Sequence, residues 1–322
     1  MRAAIYEQRG SSDVIRVADI PTPGPDVGEV RVRLGVAAVN PTDWKARSSA
    51  DPLPFPVQVP GQDGAGTIDA VGPGVDPGRI GERVWVYHSA LQRPWGTAAQ
   101  YCVVPARQAV PIPAGVDIDQ AAALGIPYIT AYGCLFVDGP IDGRTVLVTG
   151  GAGAVGHAAI QLAVRGGAHV IATVSGPEKR DLAADAGAHV IVNYRDADAV
   201  EQIRAAARAG VDRIVEVALA PNLAADTAVI APHGVIASYA ADTPEAALAI
   251  RSLMMLNVTL RFMLVYGFSP ALLAAAVSEI TEALEAGDLV PLPVTRFPLE
   301  ATAAAHDAVQ SGAVGKVLID LP

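Results

Sequence analysis

Residues 146–156 read Val146-Leu147-Val148-Thr149-Gly150-Gly151-Ala152-Gly153-Ala154-Val155-Gly156. An apolar run typical of a buried strand leads into a Gly-x-Gly-x-x-Gly pattern, and the residues after it have helical spacing. Glycines suit such a turn because a side chain would keep the backbone away from a pyrophosphate, which the N-terminus of a helix attracts. The stretch therefore predicts a dinucleotide site. The alternative is a chance turn in a glycine-rich chain, and the strand–helix context disfavours it.

From residue 143 onward, strand-like and helical runs alternate. The strand-like runs are Thr145–Thr149, Val170–Val174, Val190–Val192, Arg213–Val217 and Val235–Tyr239, and the helical runs between them are Ala154–Arg165, Glu178–Ala186, Asp198–Ala209 and Asn222–Ile230. Repeating units of about 30 residues imply right-handed crossovers and a parallel, doubly wound sheet, the α/β class. A last apolar run, Val258–Val265, is expected to close that sheet.

Before about residue 120, short β-like runs are separated by Pro and Gly turns. These runs are Arg2–Tyr6, Glu29–Val39, Gly66–Val71, Arg83–Tyr87 and Gln100–Val104. Short strands at this spacing predict a compact, barrel-like β domain. The tail has helical runs near 271–286 and 301–310 and a strand-like run at 316–321, and we expect it to rejoin the β domain in part.

The overall composition disfavours several classes of protein. The chain has 322 residues, of which 51% are hydrophobic and 17% charged, which fits two folded domains rather than a disordered or coiled-coil protein. Its formal charge of −10 disfavours a generic binder of nucleic acid or anionic membranes. Two cysteines cannot build a disulfide framework, and the N-terminus has no apolar signal core. No run reads as a membrane-spanning helix, so we expect a reducing, cytoplasmic setting.

The residues after the strand-like run 170–174 indicate which dinucleotide binds. An NAD site would place Asp or Glu there to hold the ribose 2′-hydroxyl, but the chain continues Ser175-Gly176-Pro177-Glu178-Lys179-Arg180. A hydroxyl and two cations suit the roughly two negative charges of a 2′-phosphate. Tyr194, at the end of the next strand, is expected to flank that phosphate. NADPH is therefore favoured; the alternative is that Lys179 and Arg180 lie on a solvated helix start.

Matching segments along nearly the whole chain carry a resemblance to a known family: Val39–Asp43, Pro60–Gly66, Gly125–Tyr132, the glycine-rich loop and Ser311–Val317. On these segments the chain resembles the zinc-free medium-chain dehydrogenases/reductases of the quinone oxidoreductase (zeta-crystallin-like) branch. The resemblance implies a GroES-like (chaperonin-10-like) β-barrel domain of residues 1–122, completed by 267–322, and a Rossmann NADP-binding domain of residues 123–266. It also implies a homodimer paired through the edge strand Val258–Val265.

The residues that hold a catalytic zinc in related dehydrogenases are missing from the matching segments. Relatives carry a ligand cysteine near Val39–Lys45, where this chain has Asp43, and a His-Glu pair where it has Gln62-Asp63. His88 has no cysteine cluster around it, and the remaining histidines lack metal-ligand spacing. We therefore expect no metal at the site.

A metal-free site restricts the chemistry. An isolated ketone or simple alcohol is hard to activate without a Lewis acid, whereas conjugation in a quinone or α,β-unsaturated carbonyl spreads the charge that a hydride delivers. The best-known quinone reductases resemble Asn40-Pro41-Thr42-Asp43-Trp44-Lys45 but have Tyr in place of Lys45. We expect Lys45 to steady the enolate oxygen or a cofactor ribose, Asn40 to orient the substrate and Asp43 to anchor the loop. The alternative is a solvated Lys45 on a short helix.

Further site positions come from the family or from the ends of predicted strands. For the cofactor they are Thr130, Gly151, Ala152, Gly153, Ala154, Val155, Gly156, Ser175, Lys179, Tyr194, Asn222, Ser238, Tyr239, Ala240, Met263, Leu264, Val265 and Lys316. For an apolar substrate pocket they are Trp44, Tyr87, His88, Trp95, Tyr266 and Phe268. Core packing is the alternative for the apolar and aromatic members of both sets.

The function expected from these features is NADPH-dependent reduction of quinones or α,β-unsaturated carbonyls by zinc-independent hydride transfer. Two alternatives stay open: a pathway-specific enoyl-thioester or enone reductase, and an NADPH-binding protein without turnover. The expected partner is a small-molecule quinone or enone, and neither nucleic acid nor a membrane.

Overall fold

The computed structural model describes residues 1–241, 243 and 245–322. Its strands are β1 (Arg2–Ile5), β2 (Arg16–Asp19), β3 (Glu29–Val39), β4 (Asp63–Val71), β5 (Arg83–Val86), β6 (Tyr101–Pro105), β7 (Ala109–Pro111), β8 (Thr145–Val148), β9 (His169–Val174), β10 (Val190–Asn193), β11 (Val211–Glu216), β12 (Ile230–Ser238), β13 (Thr259–Phe262), β14 (Val294–Pro298) and β15 (Lys316–Asp320). Its α-helices are α1 (Pro41–Ser48), α2 (Ile118–Ala122), α3 (Gly125–Phe136), α4 (Ala154–Arg165), α5 (Pro177–Asp185), α6 (Ala199–Ala206), α7 (Leu219–Val229), α8 (Ile250–Met255), α9 (Pro270–Ala286) and α10 (Thr302–Gln310). Among the described residues, no helix combines the length and the apolar character needed to cross a membrane.

The chain divides into two compact units. Unit 1 comprises residues 1–126 and 291–322, and unit 2 comprises residues 127–290. The sequence placed residues 267–290 with the β domain, but the structure places them, including helix α9, in unit 2. The reason is that Arg165 of α4 pairs with Glu279 of α9 at 2.8 Å and with Asp288, while Gln161 Oε1 accepts a hydrogen bond from Val290 N at 2.6 Å.

Unit 1 is built around the long strand β3. The main sheet has the order β14-β15-β3-β4-β5-β7, and β6 also pairs with β3. Alternate residues along the first half of β3 are buried and fill an apolar core. Strand β15 runs antiparallel to β3 with Val317 opposite Val39, so Lys316 comes to lie beside Asn40 at the end of β3. The C-terminal tail therefore adds strand β15 to the sheet of unit 1. This strand lies next to the predicted catalytic segment, which begins at Asn40.

Unit 2 holds a six-stranded sheet of order β10-β9-β8-β11-β12-β13, with every neighbouring pair parallel. Helices follow the strands in alternation, as the sequence predicts for a doubly wound sheet. The strand order reverses between β8 and β11. Their carboxyl ends therefore form the edge at which ligands bind in sheets of this kind.

The edge strand β13 is shorter than the predicted run Val258–Val265. Its partner β12 ends at Ser238, which is paired with Phe262, so the residues beyond Met263 have no strand to pair with. The backbone leaves the sheet there and forms a short 3₁₀ turn that includes Val265.

Candidate active site

The glycine-rich loop of unit 2 packs its backbone tightly against the start of α4. A Cβ atom on Gly156 would overlap the Gly150 carbonyl, and one on Gly151 would lie 3.0 Å from Ala172 Cβ. Gly150 has a φ of 67°, a left-handed conformation that glycine adopts without strain. Gly153, the N-cap of α4, is exposed, and the first-turn amides that follow it have no intrahelical acceptor. The loop therefore presents backbone N–H groups to solvent, as an anion site requires.

The residues predicted to bind the 2′-phosphate follow β9 and β10, which are neighbours in the sheet. Tyr194 follows β10, and its N–H donates to Val174 O at the end of β9 at 3.1 Å. Ser175 comes next after Val174 and, like Lys179 on α5, is half-buried. The Arg195 guanidinium lies 5.9 Å from the centre of the Tyr194 ring. Arg195 is a cation that the sequence analysis missed, although its position directly after Tyr194 was a usable signal.

Arg180, the other cation noted in the sequence, is used elsewhere. Its Nη1 donates to Ile191 O at 2.9 Å, which ties α5 to β10. Its charge is therefore held beside the sheet by a structural contact.

The carboxyl end of β11 carries a buried acidic residue that the sequence analysis did not single out. Glu216 is fully buried, and its Oε1 accepts hydrogen bonds from Ala218 N and, at 2.9 Å, from Asn222 Nδ2. Val217 N donates to Thr149 Oγ1 at 2.9 Å, which joins this turn to the start of the glycine-rich loop. Helix α7 begins at Leu219, so Asn222 lies in its first turn and is oriented by Glu216. The signal for Glu216 was its place at the end of a predicted strand.

The other predicted cofactor residues of unit 2 lie on several elements. Thr130 is buried within α3, and Ser238 ends β12 with its hydroxyl 3.4 Å from Ala240 O. Tyr239 N donates to Glu216 O at 3.1 Å, and burial raises the pKa of the Tyr239 phenol well above its usual value. In the segment after β13, Met263 and Val265 are buried and Leu264 is exposed.

In unit 1, the structure assembles a buried polar cluster from four residues that are far apart in sequence. Asn40 caps α1, and its backbone N–H donates to Asp43 Oδ2 at 2.7 Å. The Asn40 side chain accepts from Lys316 Nζ at 2.6 Å and donates to Asp63 Oδ2 at 2.7 Å. Asp63 Oδ2 also accepts from Ile126 N at 2.8 Å. We call Asn40, Asp43, Asp63 and Lys316 the unit 1 cluster.

Burial controls the charges of the unit 1 cluster, none of whose residues is more than 4% exposed. Desolvation raises the pKa of Asp43 to about 7 and that of Asp63 to about 6, although the nearby Lys316 charge opposes both shifts. Burial lowers the pKa of Lys316. Asp63 Oδ1 is buried and has no hydrogen-bond partner among the described residues. The cluster therefore holds two carboxyl groups against one ammonium, with titration near neutral pH.

The contacts of the unit 1 cluster bear on the predicted roles of Asn40 and Lys316. Both polar atoms of the Asn40 amide are engaged inside the unit, and the Lys316 ammonium is buried against that amide. Asp43 and Asn40 together form the capping box at the start of α1. This arrangement suits residues that position α1, and the two predicted ligand contacts stay predictions.

Helix α1 carries the remaining residues of the predicted catalytic segment. Lys45 and Trp44 are half-buried, and the Lys45 ammonium lies 5.6 Å from the centre of the Trp44 ring. This distance is typical of a cation–π contact. Lys45 therefore lies two residues after the capping residue Asp43 but is not a member of the buried cluster.

The predicted pocket aromatics are divided between the two units. In unit 1, Tyr87 and His88 are buried with their rings edge to face at 5.2 Å, and Trp95 packs against an apolar core. Burial lowers the pKa of His88 to about 4, so its ring is neutral at physiological pH. In unit 2, Tyr266 lies in the turn after β13 and Phe268 packs directly over Gly133.

The metal-ligating side chains of the described residues do not converge. No group of three or more His, Cys, Asp and Glu residues is placed to hold a metal ion within this part of the chain. Cys102 and Cys134 are both buried, and burial raises the pKa of each thiol to about 12. Both thiols are therefore protonated and act as small apolar groups in the core.

Comparison with known proteins gives matches to both units and along the whole chain. The family model of the alcohol dehydrogenase GroES-like domain matches residues 26–114, and that of the zinc-binding dehydrogenases matches residues 154–282. A quinone oxidoreductase from Rattus norvegicus is 30% identical over 99% of this chain and 97% of its own length. The quinone oxidoreductase of Homo sapiens is 29% identical over the same shares.

Solved structures match the whole architecture. An NAD-dependent alcohol dehydrogenase superposes with a TM-score of 0.90 at 31% identity and covers 100% of both chains. A mycobacterial protein solved in complex with NADPH superposes with a TM-score of 0.87 at 29% identity, over 99% of this chain and 100% of that chain. The expected fold class, a GroES-like β domain with a Rossmann domain, is confirmed. The chain belongs to the quinone oxidoreductase branch of the medium-chain dehydrogenases/reductases, a family of oxidoreductases.

Proposed function

We propose that this protein reduces quinones or α,β-unsaturated carbonyls with NADPH and needs no metal ion to do so. The observation that carries the proposal is the unit 1 cluster. Its amide and two carboxyl groups come from the two segments in which, by the resemblance, zinc-dependent relatives carry metal ligands, and Lys316 of β15 lies beside them. The Lys316 ammonium donates to the Asn40 amide, and its positive charge lies near both carboxyl groups.

The glycine-rich loop and the ends of β9 and β10 fit NADPH. The loop can pack closely on the start of α4 because Gly151 and Gly156 have no side chain to meet Ala172 and the Gly150 carbonyl, and the α4 N-terminus supplies free amides. Ser175, Lys179, Tyr194 and the newly identified Arg195 would hold the 2′-phosphate, with no carboxylate at Ser175 to repel it. When bound, NADPH supplies a hydride. A mycobacterial neighbour of the same fold has been solved with this cofactor, which supports the choice.

The reaction also requires a group that stabilises the acceptor oxygen, which becomes negative when a conjugated acceptor takes up hydride. Lys45 is the residue we assign to that oxygen, with the Trp44 ring beside it as an apolar surface for a planar acceptor. The unit 1 cluster acts indirectly, because Asn40 and Asp43 fix the first turn of α1, and this helix carries both Trp44 and Lys45. Lys316 and Asp63 in turn fix Asn40. In this scheme Asn40, Asp43, Asp63 and Lys316 are positioning residues.

The sheet edge of unit 2 supports self-association. β13 is an edge strand of the sheet, and Phe262 on it is 73% exposed; Met254 and Met255 of the preceding helix are exposed as well. An unpaired strand edge with exposed apolar side chains favours pairing with a second copy. We therefore propose a homodimer joined through β13.

The proposed function is tested by steady-state NADPH oxidation with 1,4-benzoquinone, 9,10-phenanthrenequinone and a simple enone. We expect turnover with these acceptors, and a fall in kcat/KM of about 10- to 100-fold in Lys45→Ala, with partial rescue in Lys45→Arg because the charge is kept. Full efficiency of Lys45→Ala would remove the role assigned to Lys45. NADPH binding without turnover of any acceptor would instead favour a binding protein, and turnover only with an enoyl thioester would favour the pathway-specific alternative.

A further inference from the structure

Unit 2 buries a second pair of carboxyl groups, which the proposed function does not use. Glu216 ends β11 and is 0% exposed, and Asp226 on α7 is 2% exposed. Asp226 lies one helical turn after Asn222 on α7, the Asn222 amide donates to Glu216, and the carboxyl group of Asp226 adjoins that of Glu216. The other groups that face Glu216 are the Thr149 hydroxyl and the Tyr239 phenol, besides the two donors on Ala218 and Asn222. Burial is the main cause that raises the pKa of both carboxyl groups, and among the described residues no basic side chain opposes it.

Two carboxylates can only accept hydrogen bonds, so their contact requires one proton between them. The free oxygens agree with this: Glu216 Oε2 and Asp226 Oδ2 are both buried without a partner among the described residues. A single proton would satisfy both oxygens, because the protonated oxygen of one carboxyl group would donate a hydrogen bond to the free oxygen of the other.

The donors on the Glu216 side decide where that proton lies. Glu216 Oε1 already accepts from Ala218 N and Asn222 Nδ2, which stabilises the charged form of Glu216. Among the described residues, no comparable backbone or amide donor lowers the pKa of Asp226, and the adjacent Glu216 charge disfavours a second charge. The neutral acid is therefore Asp226, and its proton points at Glu216.

We propose that Asp226 is a neutral carboxylic acid at physiological pH, that it donates its proton to Glu216, and that this pair positions the 217–222 turn for the cofactor. The positioning part rests on the proposed function, because the turn lies at the carboxyl end of β11, where that cofactor is expected. Glu216 contacts both segments that follow β8 and β11, the two strands between which the strand order reverses. It accepts a hydrogen bond from Asn222, and it contacts Thr149, the residue before the glycine-rich loop. Asp226 touches neither loop and acts through Glu216.

The consequence is an alkaline limit on cofactor binding. Burial and the Glu216 charge raise the pKa of Asp226 to about 9. Above that pH the proton is lost, two buried carboxylates repel each other, and the turn that carries Asn222 is released. The KM for NADPH is expected to rise there, whereas kcat at saturating NADPH is expected to change little, because neither carboxyl is assigned to the acceptor.

The proton itself is tested first, by infrared difference spectroscopy of the full chain without any acceptor. The spectra are compared at pH 8 and above, where Asp43 and Asp63 are largely charged. We expect the carbonyl stretch of a protonated carboxylic acid at pH 8, its loss above about pH 9 and its absence from Asp226→Asn over this range. Glu216→Gln is the second variant: its amide donates to Asp226 and lets Asp226 ionise, so the band is expected to disappear there as well. A band at pH 8 that Asp226→Asn retains, with its loss above about pH 9, overturns the proposal, whether or not the protein reduces quinones.

The positioning role is tested by the pH profile of NADPH affinity, read from NADPH fluorescence and from KM. In the native protein the affinity should fall about 10-fold from neutral pH to about pH 10. Asp226→Asn keeps an N–H donor that cannot ionise, so it should match the native affinity at neutral pH and lose the alkaline fall. Asp226→Ala has no donor and should bind NADPH about 10-fold more weakly already at neutral pH. Equal defects in the Asn and Ala variants, or an alkaline fall that persists in Asp226→Asn, would overturn it.

Discussion

Replacing Lys316 by Met removes the only basic side chain of the unit 1 cluster and keeps most of its volume. Lys316 is 3% exposed, and its charge opposes the desolvation that raises the pKa of Asp63 and Asp43. Removing one partner from a buried set of charges costs about 3–5 kcal/mol, because the charges that remain are no longer compensated. We expect a loss of this size in the free energy of unfolding of unit 1 at about pH 8, where both carboxyl groups of the native protein are charged.

The loss of unfolding free energy in Lys316→Met should be larger at high pH than at low pH. Without Lys316 the folded-state pKa values of Asp43 and Asp63 rise further above those of the unfolded chain, so stability falls more steeply as pH rises. One additional proton bound across two pH units is worth about 2.7 kcal/mol. The cost of Lys316→Met should therefore shrink to about 1–2 kcal/mol at pH 6, where the carboxyl groups protonate.

The assay is urea denaturation followed by tryptophan fluorescence at both pH values. All three tryptophans, Trp44, Trp85 and Trp95, belong to unit 1, so the signal reports that unit alone. The matched control is Lys179→Met in unit 2, which should leave this transition unchanged. Adding Asp63→Asn to Lys316→Met should recover most of the loss, since it removes the uncompensated charge. A cost below about 1 kcal/mol at pH 8, or one that does not change with pH, would refute the reasoning.

Three further outcomes follow from the geometry of unit 2. Gly156→Ala should abolish NADPH binding and lower thermal stability, because its Cβ would overlap the Gly150 carbonyl, whereas Gly267→Ala has open space and should do neither; equal behaviour in calorimetry and fluorescence titration would contradict this. Ser175→Asp should weaken NADPH about 10-fold and spare NADH, since a carboxylate repels the 2′-phosphate; unchanged relative affinities would count against the assigned subsite. Phe262→Glu should give a monomer in sedimentation velocity, while Val290→Glu, also on an exposed position, should not; a native monomer would remove the proposed dimer.

The parts of the structure that depend on local spacing could be predicted from the sequence. The Gly-x-Gly-x-x-Gly turn needs only the residues of the loop and its two flanking elements, and the alternation of strands and helices repeats over short distances. The segment after Asn40 was identified through its resemblance to the family motif, and the capping residues and the proline that start α1 are local signals in the same segment. Strand β13 was overestimated, since its length is set by where β12 ends rather than by its own apolar residues.

The contacts that define the candidate site could not be predicted, because they join distant parts of the chain. Lys316 meets Asn40 only through the pairing of β15 with β3, across 276 residues of sequence. Asp63 was noted as a departure from a metal-binding motif, but its bond to Asn40 depends on the pairing of β4 with β3. The pairing of Glu216 with Asp226 likewise depends on how α7 packs beside β11. No pattern in one sequence specifies which buried polar groups will meet.

The central claim, that a conjugated acceptor makes hydride transfer possible without a metal, is tested most directly by one measurement. The purified protein is dialysed against a strong chelator, its metal content is determined, and NADPH oxidation by 1,4-benzoquinone is measured before and after. We predict less than stoichiometric zinc and an unchanged rate. Stoichiometric zinc, with activity that is lost on its removal and regained when zinc is added back, would contradict the account.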